Sequence, residues 1–287
     1  NFIPKRNQQF DYSQPVDGSN PETDWDGLHA LEETIMVINP PNGWIQNCNS
    51  TPFTSAADYS PKMEDYPKYM ASFPENFRGI HAIPLLNNAT KLTLDGLIDL
   101  AYDPYLPGAD ILISGLLDAA ENSEHNNVKV KAAIALLKNW DFRVSKTSVG
   151  MTLAQFYLNT YLKSGLIPNM KGNKRITRLE RFNYMSQKAS AKERLDVFQI
   201  ALETLENDFG TWKTTWGSFN RYQRNNGAIF QTFDDDKESL PVGMASGTWG
   251  ALASYGTRFG KDTKRQYGVA GNSFVAVVEF GEKLRAK

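Results

Sequence analysis

Residues 39–52 read Asn39-Pro40-Pro41-Asn42-Gly43-Trp44-Ile45-Gln46-Asn47-Cys48-Asn49-Ser50-Thr51-Pro52, and the fold reading turns on them. Pro40 and Pro41 fix φ, while Asn42-Gly43 tolerates the left-handed backbone a tight turn needs, so the chain reverses here. Ile35 to Ile38 before the turn is a short apolar run. Trp44 to Cys48 after it resumes in extended style, which predicts a hairpin with Asn49 just past its second strand.

Upstream of this stretch, the chain to Asp26 is polar, punctuated by Pro4, Pro15, Gly18 and Pro21, and without periodicity, so it reads as an extended segment draped on another surface. Downstream the period changes at Thr93. Leu94, Leu97, Ile98 and Ala101 fall on one helical face behind a Thr93 cap. Further helices are predicted over Ile111 to Ala120, Val128 to Leu137, and Val149 to Leu162, the last capped by Ser148 and ended by Gly165 with Pro168. The clearest follows: Ser190 and Glu193 form a capping box, Leu195, Phe198, Ala201, Leu202 and Leu205 make an apolar stripe, and Gly210 stands where a left-handed cap belongs.

Beyond Gly210, aromatics from Trp212 to Phe233 are scattered among Gly, Asn and Thr, as in irregular β structure. Phe274 to Phe280 alternates as a strand with a buried face. The expected organisation is 1–92, extended segment, hairpin and loop; 93–210, a helical insertion; and 211–287, irregular β with core strands. The fold class is α+β, with strands at both ends.

The 287 residues are 41% hydrophobic and 12% aromatic, enough for a real core, and carry a net charge of −1 with both signs interspersed. That balance argues against nucleic acid as a partner. Apolar runs stop well short of the roughly 18 residues that cross a bilayer, so no membrane span is expected. The single cysteine, Cys48, excludes an internal disulfide. With Asn1 first, no initiator Met and no signal-like segment, both ends read as cut from a longer protein.

Little familiar chemistry is spelled out. His29, His81 and His125 are far apart without ligand-spaced neighbours, and no nucleophile elbow, Walker loop or dinucleotide fingerprint occurs. Lys171, Lys174, Arg175, Arg178 and Arg181 read as a solvated helix face, Cys48 as inert packing, His81 as structural, and Asp58, Glu64 and Asp65 as solvated loop carboxylates.

The 39–52 stretch resembles a segment of the penicillin-acylase and acyl-homoserine-lactone-acylase family of N-terminal-nucleophile hydrolases: Asn-Pro, a Gly-aromatic turn, then Asn-x-Asn followed by Pro. Asn1 to Lys5, Pro15-Val16-Asp17-Gly18 and Asp24-Trp25-Asp26-Gly27 are similar to the family's approach to that motif. Glu75-Asn76-Phe77-Arg78-Gly79 is similar to the segment holding its active-site arginine, and Trp140-Asp141, Trp216-Gly217 and Gly271-Asn272-Ser273-Phe274 to later landmarks.

The resemblance implies a four-layer αββα fold, of which this chain is an internal piece of the β-chain region, and a periplasmic or secreted acylase that degrades antibiotics or quorum signals. It implies transfer of an acyl group from an amide to an N-terminal Ser made by autoproteolysis, then to water. Position 1 here is Asn, so that Ser is expected upstream, outside this chain, and the fragment alone is expected to be inactive. The implied partners are an acyl amide substrate and the rest of the same precursor, the α chain and the N-terminal part of the β chain. No cofactor is implied for the chemistry, and a structural calcium is allowed. The implied catalytic residues are Asn49, whose side-chain N–H donates to the oxyanion, and Arg78.

Each residue also has a plainer reading. An isolated Asn often satisfies the backbone of its own turn, and Arg78 could pair locally with Glu75 or Asp65. On the whole-protein scale, the alternative is a non-catalytic binding protein on the same scaffold.

Overall fold

A computed structural model describes residues 2–123, 126–167 and 176–287. The chain divides into two units, Asn1–Ala89 with Asn169–Thr177, and Thr90–Pro168 with Arg178–Lys287. His125, Pro168, Lys171, Lys174 and Arg175 lie outside the described residues.

In the first unit, regular structure is sparse. The opening segment lies antiparallel to residues 26–29, with Lys5 N donating to Gly27 O and Asp26 N to Lys5 O, both at 3.0 Å. Short 3-10 turns follow at Pro21–Thr23, Leu31–Glu33, Pro52–Thr54, Ala57–Tyr59 and Met63–Asp65. The unit's one helix among the described residues is α1, Phe77–Asn88. The expected hairpin does not form. Ile38 and Ile45 stay exposed, so no face rewards alternation, and Gln46 N donates to Ser55 O at 2.8 Å rather than across a turn to residues 35–38. The strand expected on this side of the helices is therefore replaced by turns.

The second unit holds α2 (Leu94–Ala101), α3 (Pro107–Glu121), α4 (Val128–Lys138), α5 (Val149–Lys163), α6 (Arg178–Asn183), α7 (Ala191–Phe209) and the short α8 (Trp216–Phe219). The caps read from sequence are present: Thr93 Oγ1 accepts from Gly96 N, Ser148 Oγ from Met151 N and Ser190 Oγ from Glu193 N, while Gly210 takes φ +76°. Helix α3 starts earlier than its periodicity suggested, because Pro107 suits a first turn where no amide is needed. Leu112, Leu116, Leu137, Tyr157, Phe198 and Leu205 meet in a solvent-free core.

Between α6 and α7 the chain makes one π turn, Tyr184–Lys188, pressed against α3 at Gly115. A Cβ on Gly115 would lie 2.3 Å from the Ser186 carbonyl oxygen and 2.5 Å from its Cα, and the Gly115 carbonyl accepts from the buried Arg194 Nη1 at 2.9 Å. Neither backbone can retreat without breaking a bond. Gly115→Ala is expected to cost about 1–3 kcal/mol of stability through overpacking. Urea denaturation followed by helical ellipticity measures this; an unmoved midpoint would mean the π turn gives way freely.

The sheet of this unit has the order β2-β1-β4-β3, with β1 Asn220–Tyr222, β2 Leu240–Pro241, β3 Tyr255–Phe259 and β4 Gln266–Gly271. β1 runs parallel to β4, and the antiparallel β3–β4 ladder shifts register between Gly256 and Thr257. A separate two-stranded ladder pairs β5 (Val278–Glu279) with β6 (Arg285–Ala286). The strand expected over Phe274 to Phe280 is thus mostly irregular, and Phe274 and Phe280 are 84% and 82% exposed while Val277 is buried. Alternation shows that a face can be buried; it does not supply the cover. Helix and small sheets together fit the α+β class.

Candidate functional site

Two segments distant in sequence meet in the first unit. The 47–49 corner is made locally: Asn47 Oδ1 accepts from Asn49 N at 2.9 Å, and Asn49 adopts φ +53°, a left-handed conformation that Asn tolerates better than most residues. Asn49 therefore stands at a turn, not at the end of a strand. Its side chain is exposed.

The second segment is the start of α1. Asn76 is its cap, with Oδ1 accepting from Arg78 N at 3.0 Å and Gly79 N at 3.2 Å. The other end of the same amide reaches back, Nδ2 donating to the carbonyls of Cys48 and Asn49, each at 3.1 Å. One side chain thus fastens the helix start to the turn. Glu75 closes the joint, accepting from Asn76 N at 2.7 Å and from Thr54 Oγ1 at 2.5 Å. Gly79 permits the approach, since a Cβ there would stand 2.3 Å from Glu75 Oε1 and 2.9 Å from Ser50 Oγ.

With the corner and helix so held, Arg78 Nη2 donates to Asn49 Oδ1 at 2.9 Å. Guanidinium nitrogens only donate, so the amide atom facing Arg78 is the oxygen, and the orientation of the carboxamide follows from chemistry. Its Nδ2 makes no hydrogen bond among the described residues, on a side chain that is exposed. Arg78 forms no ion pair with Glu75 or Asp65; Glu75 is committed to Thr54 and Asn76. The local pairing that would have made Arg78 ordinary is not the one it makes.

Cys48 lies beside this pair. Burial pushes its thiol above the ordinary range, opposed by the Arg78 charge and reinforced by Glu75, so it stays protonated and unreactive at neutral pH. His81, one turn along α1, is buried, whereas Arg78 is half-buried. From sequence, Glu75 reads only as a local ion-pair partner for Arg78, and Asn76 carries no role of its own. The signal was available: an Asn immediately before Phe-Arg-Gly is a helix cap.

Among the described residues no group of three His, Cys, Asp or Glu side chains is placed to hold a metal ion. Asp58, Glu64 and Asp65 do not form one. Among those residues, too, no helix is long and apolar enough to cross a membrane. A family model described as penicillin amidase matches residues 1–287.

Proposed function

The chain belongs to the penicillin amidase family, whose members hydrolyse amide bonds, and from that premise we propose that it supplies the oxyanion donor of an acylase. The carrying observation is the hydrogen bond from Arg78 to Asn49 Oδ1, which occupies the amide oxygen and leaves its N–H groups without a partner among the described residues.

The chemistry asked of them is limited. A nucleophile, supplied by an N-terminal Ser on another part of the precursor, attacks the substrate's amide carbonyl, and the π electrons move onto oxygen. Asn49 Nδ2 donates to that alkoxide. When the tetrahedral intermediate collapses, the C–N bond breaks, the amine leaves with a proton, and water later releases the acid from the acyl-enzyme. A preorganised donor of this kind is worth about 3–4 kcal/mol of barrier.

Arg78 acts through Asn49. A permanent cation on the amide oxygen draws electron density from the nitrogen, making its N–H groups better donors, and stops the amide from flipping. A carboxamide has no ionisable proton in the working pH range, so the donor itself is expected to contribute equally across it. We place the parent enzyme in the periplasm or outside the cell, acting on a small acyl amide.

Arg78→Leu in the complete enzyme tests the pairing. Loss of a charge-assisted bond of about 1.5–3 kcal/mol predicts a fall in kcat of tenfold to a hundredfold with KM little changed, partly restored by Arg78→Lys. A rise in KM alone would make Arg78 a substrate-binding group instead.

A further inference from the structure

The second unit carries a concave surface of its own on β3 and β4. Across it β4 presents Gly268-Val269-Ala270-Gly271, small side chains that leave room, and residues 222–233 border it, giving a groove of about 500 Å³. Its depth depends on glycine: a Cβ at Gly268 would fall 1.9 Å from Tyr255 Oη, so only glycine lets that ring lie in the floor.

The lining has two characters. Tyr222, Phe230, Phe233 and Tyr255 are aromatic, and the charged lining residues are Arg224 and Arg258, with no carboxylate among them. The two acids that follow Phe233 are engaged elsewhere: Asp234 accepts from Asp236 N at 2.9 Å and pairs with Lys237 at 3.8 Å, and Asp235 accepts from Tyr267 Oη and Lys264 N, each at 2.7 Å. Tyr255 donates its hydroxyl to Arg221 O at 2.9 Å, and burial pushes its phenol up to about 12, so it brings no negative charge. The groove is therefore cationic in a chain whose net charge is −1.

The arginines are oriented but not consumed. Arg258 lies 5.5 Å from the Phe233 ring centroid and donates Nη2 to Gln231 O at 3.3 Å, while Arg224 donates Nη2 to Ala228 O at 3.5 Å. Each keeps nitrogens free of described partners. At the rim, Ile229 and Phe230 are 87% and 84% exposed, an apolar pair that solvent alone does not favour. Two cations beside aromatic walls match a ligand with one anionic end and one apolar end.

We propose that this groove binds a small amphipathic carboxylate, held by Arg224 and Arg258 at its head and by the aromatic walls along its tail. The proposal stands independently of the acylase reading. The test is calorimetric titration of the full 287-residue chain with octanoate, octanamide and acetate, alongside amide chemical-shift mapping. Octanoate is expected to bind about tenfold more tightly than octanamide, which lacks the charge, and than acetate, which lacks the tail. Its shifts should concentrate on residues 222–233 and 268–271. Arg258→Gln and Arg224→Gln should each weaken octanoate about tenfold and leave octanamide unchanged, while Asn49→Gly changes neither. Both arginines are exposed, and unchanged shifts elsewhere verify folding. Absence of octanoate binding, equal affinity for octanamide or acetate, or shifts confined to other residues would each overturn the assignment.

Discussion

In the complete enzyme, Asn49→Gly is expected to lower kcat by roughly 10² to 10³ with KM nearly unchanged and autoproteolytic processing largely intact. The magnitude follows from timing. A neutral ground-state carbonyl gains little from one more donor, but the full charge of the alkoxide gains several kcal/mol, so the loss falls on kcat. Glycine is chosen because Asn49 sits at φ +53°, where alanine adds about 1–2 kcal/mol of backbone strain. Asn49→Ala should show the same kcat defect with lower stability, which separates the missing amide from a distorted turn. Asn49→Asp should be at least as damaging, because a carboxylate offers no donor and repels the developing anion. Near-normal kcat in Asn49→Gly would remove this residue from the chemistry.

The second large effect is expected at Asn76, which touches no reacting atom. Asn76→Ala removes a helix cap, typically about 1 kcal/mol, together with the two bonds that hold the Cys48 and Asn49 carbonyls. A total stability loss of about 2–3 kcal/mol is expected, with kcat down tenfold or more as the donor loses its placement. Asn76→Asp divides the two roles. Aspartate caps a helix as well as asparagine but cannot donate to the carbonyls of residues 48 and 49. It should keep the helix start while losing activity. If Asn76→Asp retained full kcat, the fastening would be irrelevant and the residue merely a cap.

What the sequence disclosed depended on whether the deciding interactions were local. The helices from Thr93 to Gly210 were legible because their caps and stripes lie within a few residues of one another, and the Ser190–Glu193 box is made where it was read. The hairpin around Asn42-Gly43 was not formed, because alternation depends on a face being covered, and Ile38 and Ile45 are not. The same reason explains Phe274 and Phe280: their alternation marks a face that nothing among the described residues covers. Helix α1 is weakly signalled beyond the Arg78–His81 face, because it carries Pro84 inside and ends in Asn-Asn, features that usually mark a turn.

At the site, the motif resemblance pointed to Asn49 and Arg78, and the structure brings them to hydrogen-bond distance. No spacing rule reveals that they touch, since 29 residues separate them and the joint is made by Asn76 and Glu75. The direction in which the amide points was equally illegible. It follows from which end of the carboxamide meets a group that can only donate.

The most direct measurement is a crystal structure of the complete enzyme carrying a tetrahedral transition-state analogue. The account predicts Asn49 Nδ2 about 2.7–3.1 Å from the analogue's oxyanion, with Arg78 still on Asn49 Oδ1. An Asn49 amide turned away from the oxyanion, or Arg78 bound directly to the analogue in its place, would contradict it.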